Sequence, residues 1–207
     1  MAPKYKLIYF NVAGAAEQIR YIFAYAGQEF EDFRIPFDQW PDIKKKTPFG
    51  KVPVLEVDGK PVPQSCAISR YLAKQFNLTG ENEWEALQCD VLVDTYNDFK
   101  QNLVNWYREK DPAKKEEILK NTYEVEVPSY FSKFEKILSE NHGFLVGSQV
   151  TWADLVFAAN LNQLRNQKPG VLQPYPELEA LVEKIKNYPK IKTYLENRPP
   201  FADPPSS

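Results

Sequence analysis

Residues 1–80 are expected to form a mixed α/β domain and residues 81–207 an all-helical one. Two observations predict this division. Up to Gln75 the apolar residues alternate between the period of a strand and that of a helix, whereas beyond the polar stretch 77–82 only the helical period carries weight. The Asp58-Gly59 pair then turns one short strand run back on another, which places a hairpin inside the first domain.

Lys6-Leu-Ile-Tyr-Phe10 reads as the first strand, and residues 11–14 as a short turn. Over 15–26, Ile19, Ile22, Phe23 and Ala26 recur at helical spacing, and Gly27 stands where such a helix stops. Residues 30–35 follow as a second strand and 39–46 as a short helix or irregular segment. Val52-Pro-Val-Leu-Glu-Val57 is the third strand, turned by Asp58-Gly59 into a short fourth near Val62. Ser65 opens a helix that runs to about Gln75. A crossover helix makes the first strand pair parallel and the hairpin makes the last pair antiparallel, so a mixed four-stranded sheet with helices on its faces is expected. Further helices are expected over 83–108, 113–141, 151–167, 176–187 and 189–196. Thr151-Trp-Ala-Asp154 has the form of a capping box, most simply the start of a core helix, and the proline-rich chain after Arg198 is expected to be irregular.

Composition narrows the function classes. Net charge is -2 with Lys and Arg scattered, which leaves no basic stripe for nucleic acid and no polybasic patch for a membrane surface. No apolar run approaches the ~20 residues of a membrane span, and the N-terminus lacks the pattern of a signal peptide. Cys66 and Cys89 lie far apart and, with the single His142, do not make a usual structural zinc site. A reducing, cytoplasmic setting fits best. One histidine also argues against a Ser/His/Asp or Cys/His nucleophile, so another group must handle the proton.

Three features mark a candidate site. Pro53 begins a strand; if the Val52-Pro53 bond is cis, the Val52 N–H and C=O are free to pair with an extended peptide, whereas a trans-proline at an ordinary edge is the plainer alternative. Gln64-Ser65 precedes a helix, where Ser65 suits the N-cap and the free N–H groups attract a carboxylate; a purely structural cap is the commoner meaning. Together they suit a small acidic peptide. Tyr9 ends the first strand, and its hydroxyl either packs or reaches that same edge. Where a thioredoxin-like arrangement carries its reactive cysteine pair this chain has Tyr9-Phe-Asn-Val12, so a thiol would have to come from the ligand.

The ordered set Tyr9-Phe-Asn, Trp40-Pro, Pro48-Phe-Gly-Lys-Val-Pro53-Val-Leu, Gln64-Ser65 and Val150-Thr-Trp-Ala-Asp154 resembles the sigma class of cytosolic glutathione transferases, which includes the glutathione-dependent prostaglandin D synthases. The resemblance covers essentially the whole chain. It implies a thioredoxin-like first domain, glutathione as co-substrate, no required metal, and a homodimer. It implies that Tyr9 donates its hydroxyl to the glutathione sulfur and favours the thiolate. Trp40, Lys44 and Lys51 would hold the glycine end of glutathione, with Gly50 in the same set; a solvated lysine is a nearly equal reading of Lys44, and packing is the lesser alternative for Trp40. Val52 would pair with the cysteinyl unit, and Gln64 and Ser65 would hold the γ-glutamyl carboxylate.

Asp90, Asp94 and Asp98 share one helix face, on a bland reading a solvated acidic surface. The resemblance implies instead that Asp98 reaches the glutathione amine of a neighbouring subunit; a metal on this face is a weaker option, since Asn97 stands where some relatives have a carboxylate. Phe49 is a further candidate for the subunit contact. The electrophile is expected near Phe10, Val12, Ala13, Ala15, Asn105 and Trp106, several of which core packing would explain as well. Relatives often carry arginine where this chain has Ala15, which widens the pocket and weakens the case for prostaglandin-endoperoxide isomerisation. Conjugation of hydrophobic electrophiles such as lipid-peroxidation products is the first expectation. Endoperoxide isomerisation and a non-catalytic crystallin-like or ligand-carrier role are the alternatives.

Overall fold

The computed structural model describes residues 3–202. Strands β1 (Tyr5–Phe10), β2 (Glu31–Ile35), β3 (Val54–Val57) and β4 (Lys60–Pro63) form one sheet in the order β2-β1-β3-β4. β1 and β2 are parallel, and the β1–β3 and β3–β4 pairs are antiparallel, as the crossover and the hairpin require. Asp58 and Gly59 both have positive φ, 50° and 79°, the backbone of a two-residue hairpin turn whose twist matches its strands.

Helix α1 (Glu17–Ala26) crosses from β1 to β2 and buries Ile19, Ile22 and Phe23 completely. It follows a 3-10 turn over Gly14–Ala16, so the α-helix proper starts two residues later than its apolar period suggested. Gly27 ends it at φ 69°, its N–H returning to the Phe23 and Ala24 carbonyls. The short α2 (Trp40–Lys44) precedes β3, and α3 (Ser65–Gln75) follows β4.

The second half contains α4 (Glu83–Arg108), α5 (Pro112–Asn121), α6 (Val127–Glu140), α7 (Trp152–Gln167), α8 (Pro176–Lys186) and α9 (Pro189–Asn197). The single helix expected over 113–141 is thus two helices joined by a π-helical turn, Thr122–Glu126. Pro128 supplies the reason: it has no N–H to donate, and its ring presses on the carbonyl four residues back, so the helix widens by a turn before resuming. Tyr96, Phe99, Phe131, Phe134 and Phe157 pack into the core of this half. Helix α7, buried from Trp152 to Leu161, joins it to the sheet domain by packing on α1. No helix among the described residues is long and apolar enough to cross a membrane.

Candidate active site

Register gathers residues that are far apart in the chain. Ile8, Val54 and Pro63 lie side by side across β1, β3 and β4. The residues just beyond that row share one end of the sheet: Tyr9 on β1, Val52 and Pro53 before β3, Gln64 and Ser65 after β4. Strands lie ~4.8 Å apart, so the edge from β1 to β4 is about 10 Å wide. An extended chain advances ~3.4 Å per residue, and a tripeptide spans the same width.

At the β1 end, the Tyr9 hydroxyl oxygen accepts the Ala15 N–H at 3.1 Å. Arg20 holds the intervening turn, its Nη1 donating to the Val12 carbonyl at 2.8 Å and its Nη2 to the Phe10 carbonyl at 3.4 Å. Arg20 is fully buried and paired with Glu17 and Asp32, each at 3.2 Å. Gly14 sits at φ +45°, and a side chain there would run into the Tyr9 hydroxyl. Burial raises the Tyr9 pKa above the ordinary tyrosine value; the Ala15 amide and Arg20 oppose that rise, and nearby Tyr107 adds to it. Such a phenol stays protonated at neutral pH. With its oxygen already accepting from an amide, its proton is left to donate to an anion.

Val52–Pro53 is a cis peptide bond. The β1–β3 ladder ends at the Ile8–Val54 pair, which leaves Val52 outside it. At the far end Gln64, not Ser65, is the N-cap of α3: its carbonyl accepts the first helical bond from Ile68 N–H at 2.9 Å. Ser65 is the first helical residue, so the expectation that it caps the helix is corrected by one position. Gln64 adopts φ 77°, a region that costs a non-glycine residue about 1–3 kcal/mol and is concentrated at binding sites.

On the α2 side, Trp40 meets the Phe10 ring edge-on at 5.1 Å, and Phe10 stacks on Phe37 at 5.2 Å. Phe10 therefore supports Trp40. The aliphatic chain of exposed Lys44 passes 3.5 Å from where a Gly50 side chain would begin, which brings Lys44, Gly50 and Lys51 together.

Helix α4 faces the other side of this edge. Asn97 Nδ2 donates to Cys66 Sγ at 3.0 Å, and Tyr107, 69% exposed, stands near Tyr9. Trp106 is half-buried, with the Lys115 ammonium 5.0 Å from its ring centre, and Asn105 accepts from Gln101 at 2.9 Å. Val12, Ala13 and Ala15 are half-buried in the turn after β1. Arg70 takes Asp90 at 2.7 Å and Asp94 at 3.8 Å, whereas exposed Asp98 forms no ion pair among the described residues. Sequence reasoning overlooked Gly14 and Arg20. Arg20 carried a readable signal, a charge inside the otherwise apolar run Ile19-Arg-Tyr-Ile-Phe23, which in a buried helix demands partners.

Residues 5–74 match the glutathione S-transferase N-terminal domain and residues 97–198 the glutathione S-transferase C-terminal domain. The chain belongs to the glutathione S-transferase family. It is 42% identical to glutathione S-transferase S1 of Drosophila melanogaster, over 94% of this chain and 79% of that protein. The solved structure of prostaglandin synthase D of Nilaparvata lugens superposes with a TM-score of 0.92 at 45% identity, covering 95% of this chain and 99% of that one. A hookworm glutathione S-transferase from Necator americanus, described as monomeric, superposes with a TM-score of 0.87 at 37% identity over 95% and 98%.

Proposed function

We propose that this chain is a glutathione transferase whose Tyr9 hydroxyl stabilises the glutathione thiolate for attack on hydrophobic electrophiles, unsaturated lipid-peroxidation aldehydes among them. The observation that carries this reading is Tyr9 itself: its oxygen accepts the Ala15 amide, and burial keeps its proton in place. The tripeptide lies along the ~10 Å edge. Its γ-glutamyl carboxylate rests at Gln64 and Ser65 on the first free N–H groups of α3, and its cysteinyl unit pairs with the Val52 backbone. Its glycine end lies by Trp40, Lys44, Gly50 and Lys51. In that pose the thiol falls beside Tyr9.

A hydrogen bond to a charged group is worth ~1.5–3 kcal/mol, and one pKa unit is ~1.36 kcal/mol, so Tyr9 lowers a thiol of pKa ~8.5 by about one to two units. The thiolate then forms a C–S bond as halide leaves from an aromatic halide. With an unsaturated carbonyl, the C=C pair shifts toward the oxygen and is protonated from solvent. Residues 1–80 form the glutathione-binding domain, and residues 81–207 supply the electrophile wall and the contacts of a cytoplasmic homodimer.

Tyr9→Phe is expected to lower kcat/KM for an activated aromatic halide by about 10- to 100-fold at neutral pH. Because it raises the bound thiol's pKa, it should also move the acidic, rising limb of the pH–rate profile up by about one to two pH units. Equal rates and profiles in both proteins would remove Tyr9 from the mechanism. The likeness to an insect prostaglandin synthase favours endoperoxide isomerisation as a second reading. A higher kcat/KM for an endoperoxide than for the best unsaturated aldehyde would select it.

A further inference from the structure

Lys100 is a cation set into the junction of the two halves, and it forms no ion pair with a carboxylate among the described residues. Its Nζ donates to Asn160 Oδ1 at 2.6 Å, Asn160 Nδ2 donates to Gln18 Oε1 at 3.3 Å, and Gln18 Nε2 donates to Ser69 Oγ at 3.0 Å. This chain of polar groups joins α4, α7, α1 and α3. Desolvation holds the Lys100 ammonium below the ordinary lysine range, and the Cys66 thiol is the neighbour that favours its charge. Other ions on these helices are engaged elsewhere, Arg20 with Glu17 and Asp32, Arg70 with Asp90, and buried Asp154 with the Thr151 and Leu145 amides, while Asp98, two residues along α4, is exposed and forms no ion pair among the described residues. An ammonium has three N–H donors, and Asn160 uses one.

Two elements locate Lys100 relative to Tyr9. On α4, Asn97, Lys100, Val104 and Tyr107 fall on one face by helical spacing. Asn97 touches Cys66, next to the expected γ-glutamyl anchor, and Tyr107 stands near Tyr9. With a rise of ~1.5 Å per residue, Lys100 lies about 5 Å along the cleft from Asn97 and about 10 Å from Tyr107. On α1, Gln18, which holds Asn160, is three residues from Ala15, whose N–H bonds Tyr9. That separation is about one helical turn, ~5 Å. Lys100 is thus about 10 Å along α4 from Tyr107 and is linked through Asn160 and Gln18 to the helix whose entry turn holds Tyr9, and the residues of that turn and face, Val12, Ala13, Ala15 and Val104, carry no charge.

A desolvated cation with spare donors beside an apolar cleft is a receptor for an anionic group on an apolar body. Glutathione's own carboxylates are assigned to the two ends of the sheet edge. We propose that Lys100, oriented by Asn160, binds the carboxylate of the second substrate, so that the pocket selects apolar electrophiles bearing an acid group over their neutral counterparts. This rests on the transferase reading above.

The test compares an α,β-unsaturated ketone carrying a carboxylate on an alkyl chain with its methyl ester, reading the ratio of kcat/KM, acid over ester, after correction for uncatalysed reactivity. The ratio should exceed one in the wild type, fall about tenfold or more in Lys100→Met, and persist in Lys100→Arg. Calorimetry with a medium-chain saturated carboxylate and its methyl ester gives the same comparison without turnover, and it decides where the two arms differ. A calorimetric preference for the acid that is absent in the wild type, or unchanged by Lys100→Met, overturns the proposal. No turnover of either ketone, with a Lys100-dependent preference in calorimetry, sinks the transferase reading and leaves the anion site standing.

Discussion

The Tyr9 hydroxyl and Gly14 come so close that any side chain at position 14 would displace the phenol from the Ala15 amide. A Gly14→Ala change adds a left-handed backbone cost of ~1–2 kcal/mol to that collision. Gly14→Ala is expected to cut aromatic-halide turnover by about tenfold or more, by the hydrogen-bond energies already applied to Tyr9, while cooperative unfolding persists. Turnover equal to wild type would mean that the phenol keeps its position by another route. In the sequence Gly14 was legible only as part of a turn, because the group it must avoid lies on the preceding strand and meets it only once the chain reverses. Asp98 contrasts with Asp90 and Asp94 in the same way: equal spacing made the three look alike, and only Arg70 on α3 separates the two paired residues from the exposed one.

Helices were legible in proportion to how much of their stability is local. Helix α4 has its start marked by Asn82, whose side chain accepts the Glu85 N–H, and its expected bounds match those observed. Over 113–141 the apolar period continued through Pro128, and period alone does not register a missing N–H donor. The box at the start of α7 does more than begin a helix. Buried Asp154 accepts the Thr151 N–H at 2.7 Å, the Thr151 hydroxyl at 2.9 Å and the Leu145 N–H at 2.9 Å, while Trp152 N–H reaches back to the Leu78 carbonyl. Asp154→Ala leaves those donors buried without a partner and is expected to cost about 3–5 kcal/mol, a fall in Tm of roughly 6–20 °C. Thermal and urea unfolding would measure it, and a loss below about 1 kcal/mol would show that the donors find other partners.

Across the whole molecule, the turn after Tyr9 is tied to the far end of the chain. Glu17 accepts from Arg20, from the Tyr194 hydroxyl and from Arg198, and the Asn11 carbonyl accepts the Ala202 N–H at 2.8 Å. Asn11 also donates to the Pro200 carbonyl, and Phe201 lies against Arg198 and Arg34, so residues 199–202 are irregular yet docked, and the rest of the segment expected to be irregular lies outside the described residues. On α4, exposed Trp84, Leu87 and Val91 form a stripe that continues to Asp98, and Phe49 is 71% exposed. A second copy of the chain on this face would cover the apolar stripe and bring the partner's Asp98 toward glutathione. A combined Trp84→Glu and Val91→Glu variant is expected to sediment as a monomer and to raise the KM for glutathione. A wild type that already sediments as a monomer, as its hookworm neighbour is described, would end that proposal.

The sequence by itself determined the two-part fold and the parallel and antiparallel strand pairs, because period, turn chemistry and helix starts are written in neighbouring residues. Only the tertiary structure decided that Gly14 makes room for the Tyr9 hydroxyl, that Arg70 takes two of three like aspartates, and that Lys100 has no counter-ion among the described residues. Each depends on side chains brought together across elements, where desolvation and pairing are set by neighbours that no local pattern encodes.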